Sequence, residues 1–482
     1  MSHRLSRRIA EVLALDPSAH ALQYEGSWLT WGELGMATHR VAGLVDSGAR
    51  VGIMLRNRPA HVAAFLGVLL AGGTVVVINP SRGDARTRYD IAALDLPTLI
   101  GTSDDVGRLV DAGLNTTALT LDDTVGVARN SVGRQNDPGR AGVAVWMLTS
   151  GTTGPPKRVD LTYDMLAHSV MGPEPSAAPT ALRTGVAIVN SPLVHVGGVF
   201  RILLCVSEAR PFVLLEKFDL DTWAAAVREH RPRAVSLVPA ALRMVLHSEL
   251  TRADLAGIRA VTSGTAPLSP DDADAFTEKF GIPVLTSYAA TEFGGGVAAW
   301  TLADHQQYWA AKRGSVGRAN PGAALRVVAE DGSIVGPDEP GLLEVKPAQL
   351  GAGADWMRTT DLARIDTDGF LWILGRADQA IIRGGFKVMP EDVRAALESH
   401  PDVQGASVVG RPDERLGEVP VALVERRPGR AVTAEDLADF LRTRLSRYEI
   451  PAQVVFIDQI PRTPSGKPDL RAVREHFAEH AH

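Results

Sequence analysis

Between residues 59 and 286 the sequence keeps changing texture, and this constrains the fold more than any other feature. "PAHVAAFLGVLLA" (59–71) is rich in Ala and Leu, Gly72-Gly73 interrupts it, and "TVVVI" (74–78) is β-branched. The passage reads as helix, turn and buried strand. The same succession returns at 221–230 with 234–238, and at 271–279 with 283–286. A parallel strand is reached only through a crossover, so such alternation predicts α/β units around largely parallel sheet. The stretch from Val62 to Ile78 is barely long enough to span a bilayer, and its change of composition midway speaks against a transmembrane segment.

A chain of 482 residues exceeds one ordinary core, which predicts two or more domains. After about residue 376 the texture shifts. "PEDVRAALESH" starts a helix at Pro390 and stops before Pro401. "TAEDLADFLRTRLS" opens with Thr433 and Asp436 in capping-box spacing and sets Leu437, Phe440, Leu441 and Leu445 on one face. Short β-like runs, "GASVVG" and "VPVALVE", lie between them. These residues read as a small α+β domain. A loop is expected over 171–180 and a break near 350.

Net charge is −6, with 50 basic against 56 acidic residues, and no basic stripe marks a nucleic-acid partner. Cys205 is the single cysteine, so no internal disulfide can form, which suits a reducing cytoplasm. Within "FRILLCV" it reads as a small core residue. Glu11 and Asp16 interrupt the apolar part of the N-terminus, which therefore lacks the pattern of a signal peptide.

The passage richest in chemistry is "LTSGTTGPPKRVDLT" (148–162). The apolar run from Gly142 to Leu148 reads as a strand, and it enters a loop of hydroxyls and glycines that ends in a cation: Thr149, Ser150, Gly151, Thr152, Thr153, Gly154, Pro155, Pro156 and Lys157. Backbone N–H groups, hydroxyls and an ammonium make a phosphate cradle, although a plain connector can look alike. It is not a Walker loop, because two prolines separate Gly154 from Lys157, and its glycine spacing is not that of a dinucleotide fingerprint. Four further segments stand out: "VTSGTAPLSP" (261–270), "LTSYAATEFGG" (285–295), "MRTTDLARIDTDGFLWILGRADQ" (357–379) and "IPRTPSGKPDL" (460–470). Taken singly, Glu292 reads as a surface carboxylate, Asp361 as a loop acid, Arg376 as a salt-bridge partner and Lys467 as a solvated lysine.

Taken in order, these segments resemble the adenylate-forming superfamily of acyl-CoA synthetases, luciferases and peptide-synthetase adenylation domains, and among them most a fatty-acid or aryl-acid CoA ligase. The likeness runs from "LTWGEL" at Leu29 to Leu470, with "TSGTTGPPK" and "PRTPSGK" as its firmest parts. It implies a large N-terminal domain of α/β sheets with a small β-barrel-like subdomain (1–377), and a small mobile α+β C-terminal domain (378–482). It also implies ATP, Mg²⁺ and coenzyme A, a small-molecule carboxylic acid as substrate, and a monomer or homodimer. The expected reaction forms an acyl-adenylate and pyrophosphate, then passes the acyl group to CoA. Loading of a carrier-protein phosphopantetheine and a non-catalytic nucleotide-binding protein are the alternatives.

By matching positions, Thr149 to Gly154 and Lys157 would hold the β- and γ-phosphates. Glu292 would hold Mg²⁺, and Thr291 would touch the α-phosphate. Asp361 would accept from both ribose hydroxyls, with Arg376 beside it. Gly264, Thr265, Ala266, Ser287 and Tyr288 would line the adenine slot. Lys467 would bridge the carboxylate and the α-phosphate. His195, Val196, Gly197 and Gly198, in "NSPLVHVGGVF", would line the acyl pocket, where His195 either gates the site, meets the carboxylate or is simply packed. Asp378 matches the hinge, or else caps a turn. Two positions depart from the family pattern. Ala289 and Thr360 stand where glycines are usual, and both add bulk near the expected nucleotide.

Overall fold

The structure, a computed structural model, describes residues 2–122, 125–129, 131, 133, 139–149, 157–173, 177–463 and 466–479. Its largest sheet has seven strands, in the order Val127–Arg129, Thr117–Leu121, Thr98–Thr102, Arg50–Met54, Thr74–Ile78, Val143–Thr149 and Lys157–Thr162. The five inner strands are parallel, and each edge is an antiparallel partner. "TVVVI" shows why that strand is apolar at every place. Val75 and Val77 join one core with Phe65 and Leu66 of helix Pro59–Leu70, while Val76 and Ile78 join another with Ile91, Leu96 and Leu109. Helices cover both faces, so period-2 alternation leaves no polar side.

A second sheet runs parallel through Ala234–Ser236, Ala260–Ser263 and Val284–Ala290, then turns antiparallel into Gly295–Ala299 and Arg318–Ala319. Helices Pro239–Leu246 and Pro270–Phe280 pack on it through Leu242, Val245, Phe276 and Phe280. A third, smaller sheet joins Ala187–Val189, Phe212–Leu214 and His20–Tyr24 in parallel, with Ser27–Thr30 at its edge. Helix 59–71, strand 74–78 and the later pairs therefore fall where the texture puts them, to within two residues except at the end of Val284–Ala290.

Where the barrel-like subdomain is expected, four antiparallel strands form an open sheet: Ala324–Val328, Gly341–Lys346, Met357–Ile365 and Leu371–Arg376. Residues 381–477 then build a separate sheet. Gly417–Arg426 lies between Val403–Asp413 and Gln453–Phe456, and the short strands Ile381–Arg383 and Phe386–Val388 extend its edge. Two hydrophobic cores drawn only from these residues flank that sheet. The Thr433–Asp436 capping box forms as its spacing predicts. No described helix is long and apolar enough to cross a membrane.

Candidate active site

Strand Ala260–Ser263 ends with Ser263 opposite Thr286, where the parallel pairing stops and its neighbour Val284–Ala290 runs on. Ligands of open α/β sheets gather at such carboxyl ends. Gly264 follows the first strand. A Cβ there would sit 2.8 Å from Ser287 Oγ, so a larger residue would make the serine side chain turn away. Thr265 adopts φ +71°, a left-handed conformation uncommon for a threonine, and is exposed beside Ala266. The second strand delivers Tyr288 and then a single 3₁₀ turn, Thr291–Phe293, which places Glu292 in the open and touches strand Lys157–Thr162. In register, Thr149 pairs with Lys157, so the hairpin closes at the two ends of the predicted phosphate loop. Ser150, Gly151, Thr152, Thr153 and Gly154 lie outside the described residues, as do the side chains of Thr149 and Lys157.

A third wall comes from the four-stranded sheet, where Asp361 and Arg376 are cross-strand partners. Asp361 sits on a bulge: between Leu342 and Glu344 the partner strand advances two residues while this strand advances from Leu362 back to Arg358. Thr359 replaces the missing ladder bonds. Its hydroxyl donates to Leu343 O (2.9 Å) and accepts from the Asp361 N–H (3.1 Å). Bulges re-aim side chains, and here the carboxylate is turned to accept a hydrogen bond from the Tyr288 hydroxyl. Burial, and next the charge of Asp361, push the Tyr288 phenol far above its usual range, so it stays a donor. Arg376 gives its fork to Asp378, with Nε at 2.9 Å from Oδ1 and Nη2 at 2.7 Å from Oδ2. Asp378 itself lies in the turn Ala377–Gln379.

The fourth wall is helix Val196–Ser207, which carries Val196, Gly197 and Gly198 in its first turn. Asn57 pins the loop before it, donating to Ser191 O and Leu215 O (3.0 Å each) and accepting from Leu193 N (2.8 Å). A Cβ on Gly198 would meet Pro192 O at 2.2 Å, so glycine is required for this close return. His195 precedes the helix, and its buried Nε2 has no hydrogen-bond partner among the described residues. Burial, and then the charge of Lys467, lower its pKa to about 4, which keeps the imidazole neutral.

Lys467 closes the group. Its loop turns at Gly466 (φ +80°), with Thr463 N–H bonded to Lys467 O at 2.7 Å. A Cβ on Gly466 would lie 3.3 Å from Val238 in the large sheet assembly, so the loop rests directly on it. The ammonium is surrounded closely enough for burial, and next the Arg376 charge, to lower its pKa, opposed by Asp361 and Glu292. Yet Lys467 keeps exposed surface, as do Glu292 and Thr265. The structure thus brings Glu292, Asp361, Arg376 and His195 within electrostatic reach of Lys467, with Tyr288 hydrogen-bonded to Asp361. Among the described residues no three His, Cys, Asp or Glu gather as metal ligands. A lone carboxylate such as Glu292 fits Mg²⁺, which keeps waters and takes only one or two carboxylates beside substrate phosphates.

Thr359, which aims Asp361, and the salt bridge from Arg243 to Glu398 (2.8 Å) escape motif reading. The chain matches the AMP-binding enzyme family over residues 9–353, and the AMP-binding enzyme C-terminal domain over 392–467. It is 35% identical to an indoleacetate–CoA ligase of Aromatoleum aromaticum over 346 residues, 68% of this chain and 66% of that one. It is 30% identical to a 4-coumarate–CoA ligase of Oryza sativa subsp. japonica over 485 aligned residues, 93% of this chain and 87% of that one. The crystal structure of ATP-bound MatB from Rhodopseudomonas palustris superposes with a TM-score of 0.83 at 25% identity, covering 100% of both chains.

Proposed function

The chain belongs to the AMP-binding enzyme family, and we propose that it is an ATP-dependent, AMP-forming acid–CoA ligase. The observation that most supports this reading is Lys467 within electrostatic reach of Glu292, Asp361 and Arg376. A carboxylate that attacks the α-phosphate of ATP brings anion to anion, and fixed positive charge must already be in place. Lys467 supplies it, bridging the acid and the α-phosphate. Asp361, held by Tyr288 and Thr359, accepts from the ribose hydroxyls, while Arg376 stays beside it on its Asp378 support. Gly264 to Ala266 with Ser287 and Tyr288 line the adenine. Thr291 touches the α-phosphate, and Thr149 to Gly154 with Lys157 take the outer phosphates. Glu292 holds Mg²⁺, whose charge shields the phosphate oxygens. Neutral His195 offers its free Nε2 to the acid.

Lys467 then obstructs the approach of a thiol to the acyl carbon. We assign residues 1–377 to a large ATP- and acid-binding domain and 378–482 to a small mobile one that pivots at Asp378, withdrawing Lys467 before CoA attacks. The acting unit is a monomer or homodimer. We place the reaction in the cytoplasm, in keeping with the single cysteine. The test incubates the purified protein with ATP, Mg²⁺ and a panel of carboxylic acids, reading pyrophosphate release and then CoA-dependent thioester. The expected result is acid-dependent pyrophosphate release, with thioester only when CoA is present. Silence with every acid would sink the proposal, and thioester formed on a phosphopantetheine carrier but not on CoA would reassign the acceptor.

A further inference from the structure

Helix Val196–Ser207 has two unlike faces. Val199, Ile202, Leu203, Cys205 and Val206 are buried. Gly197, Phe200, Arg201 and Leu204 are only half-covered. Their spacing of i, i+3, i+4 and i+7 is that of a single helical stripe. At its start a Cβ on Gly197 would find nothing within 4 Å, so the stripe borders open space. The stripe begins two residues after His195, on the side of the molecule where Lys467 acts on that imidazole. The stripe thus starts beside the imidazole assigned to the acid, and it is apolar except at Arg201.

Arg201 is a charge without a counterion. Nη2 donates to Thr262 Oγ1 (3.1 Å), on the strand that leads to Gly264, and the guanidinium lies 6.0 Å from the Phe200 ring centroid. No acidic side chain among the described residues pairs with it, and the protein around it is dense enough for burial to lower its pKa. Part of its surface nevertheless remains open. An arginine so desolvated is normally matched by a carboxylate. Its fork takes a carboxylate with two parallel bonds.

We propose that Arg201 selects the substrate, and that the preferred acids carry a second carboxylate at the end remote from the one activated. Arg201 lies six positions after His195, a rise of about 9 Å along the helix. The two carboxylates of a good substrate are therefore separated by a short chain, with apolar carbons against Gly197 and Phe200. This inference rests on the proposed acid-activating function.

The test compares matched pairs (butanoate with butanedioate, hexanoate with hexanedioate, octanoate with octanedioate) in wild type, Arg201→Met and Arg201→Lys. Pyrophosphate release gives kcat/KM for each. Wild type is expected to favour the best diacid over its monoacid by roughly ten- to a hundredfold, the worth of a charge-assisted bond. Arg201→Met should erase that preference, and Arg201→Lys should keep a part of it. Equal or better use of monoacids by wild type would overturn the inference, as would an equal fall for both members of each pair in Arg201→Met. Calorimetry of hexanoate and hexanedioate with the full-length protein and a non-hydrolysable ATP analogue reads the same preference without turnover. Tighter diacid binding lost in Arg201→Met supports the role of Arg201 even where no pyrophosphate is released. Equal affinities for the two acids refute it even where pyrophosphate is released.

Discussion

Helix Pro239–Leu246 grips the C-terminal residues twice. Val238, its N-cap, meets the loop at Gly466, and Arg243 reaches Glu398 at the end of helix Pro390–Glu398. The Arg243 and Glu398 side chains are 10% and 6% exposed, so water barely screens the pair. On the proposed motion of residues 378–482, Arg243→Met removes a bond made only in the position that holds Lys467 near Asp361 and Glu292. The Arg243–Asp272 bond (2.7 Å) lies within the large domain, so its loss affects both domain positions alike and cancels. Glu398 is not orphaned, because Arg394 and the Ala406 N–H (3.1 Å) still bond it. What remains is one bond between charged groups, about 1.5–3 kcal/mol. At about 1.4 kcal/mol per factor of ten, the closed position weakens by roughly ten- to a hundredfold. Single-turnover measurements should show acyl-adenylate formation falling at least tenfold, while thioester formation from supplied adenylate is unchanged. A double-mutant cycle with Glu398→Gln should return a coupling energy of that size. Zero coupling, or an equal fall in both half-reactions, would refute the latch.

Lys467→Ala should abolish most acyl-adenylate formation and spare thioester formation from supplied adenylate, each followed in single turnover. Asp361→Ala should weaken binding of an ATP analogue by about 1.5–3 kcal/mol for each ribose hydroxyl that loses its acceptor, measured by calorimetry. Thr359→Val should weaken it less, because the carboxylate is kept but less firmly aimed. His195 is held neutral down to a pKa of about 4, against about 6.5 unfolded, so the unfolded chain binds the extra proton between those values. Its contribution to stability is therefore complete above pH 6.5 and lost as pH falls toward 4. Relative to His195→Gln, the wild type should lose about 2 kcal/mol across that window, read from thermal midpoints at pH 7 and pH 4.5.

The α/β alternation was legible because it rests on local rules. Ala and Leu against β-branched residues, Gly72-Gly73 between them, and Thr433 with Asp436 all act within a turn or two of chain. Gly197-Gly198 followed no such rule. Two glycines oppose a helix, yet they open one here because Gly198 must clear Pro192 O. Arg201 carried a signal, a charge inside the apolar run "FRILLCV", that only the helical stripe around it makes readable. Arg243 and Glu398 are 155 positions apart and carried none. The motifs singled out Lys467, Glu292, Asp361 and Arg376, which the structure draws near one another, but not their contacts. Arg376 is expected at the ribose, and in the structure its fork is spent on Asp378.

The two departures from the family pattern take on a physical meaning from the bulge. Ala289 and Thr360 are both exposed, so neither added side chain displaces protein packing. Thr360 lies within the bulge, between Thr359 and Asp361, and the bonds that hold this segment run through Thr359 to Leu343 O and the Asp361 N–H. A glycine at 360 would add backbone freedom without adding a bond. Threonine there narrows the conformations open to the segment that carries the carboxylate. The aim of Asp361 is thus set by Thr359 and stiffened by Thr360, the two residues before it, and any penalty for the extra bulk falls on the room left for the nucleotide.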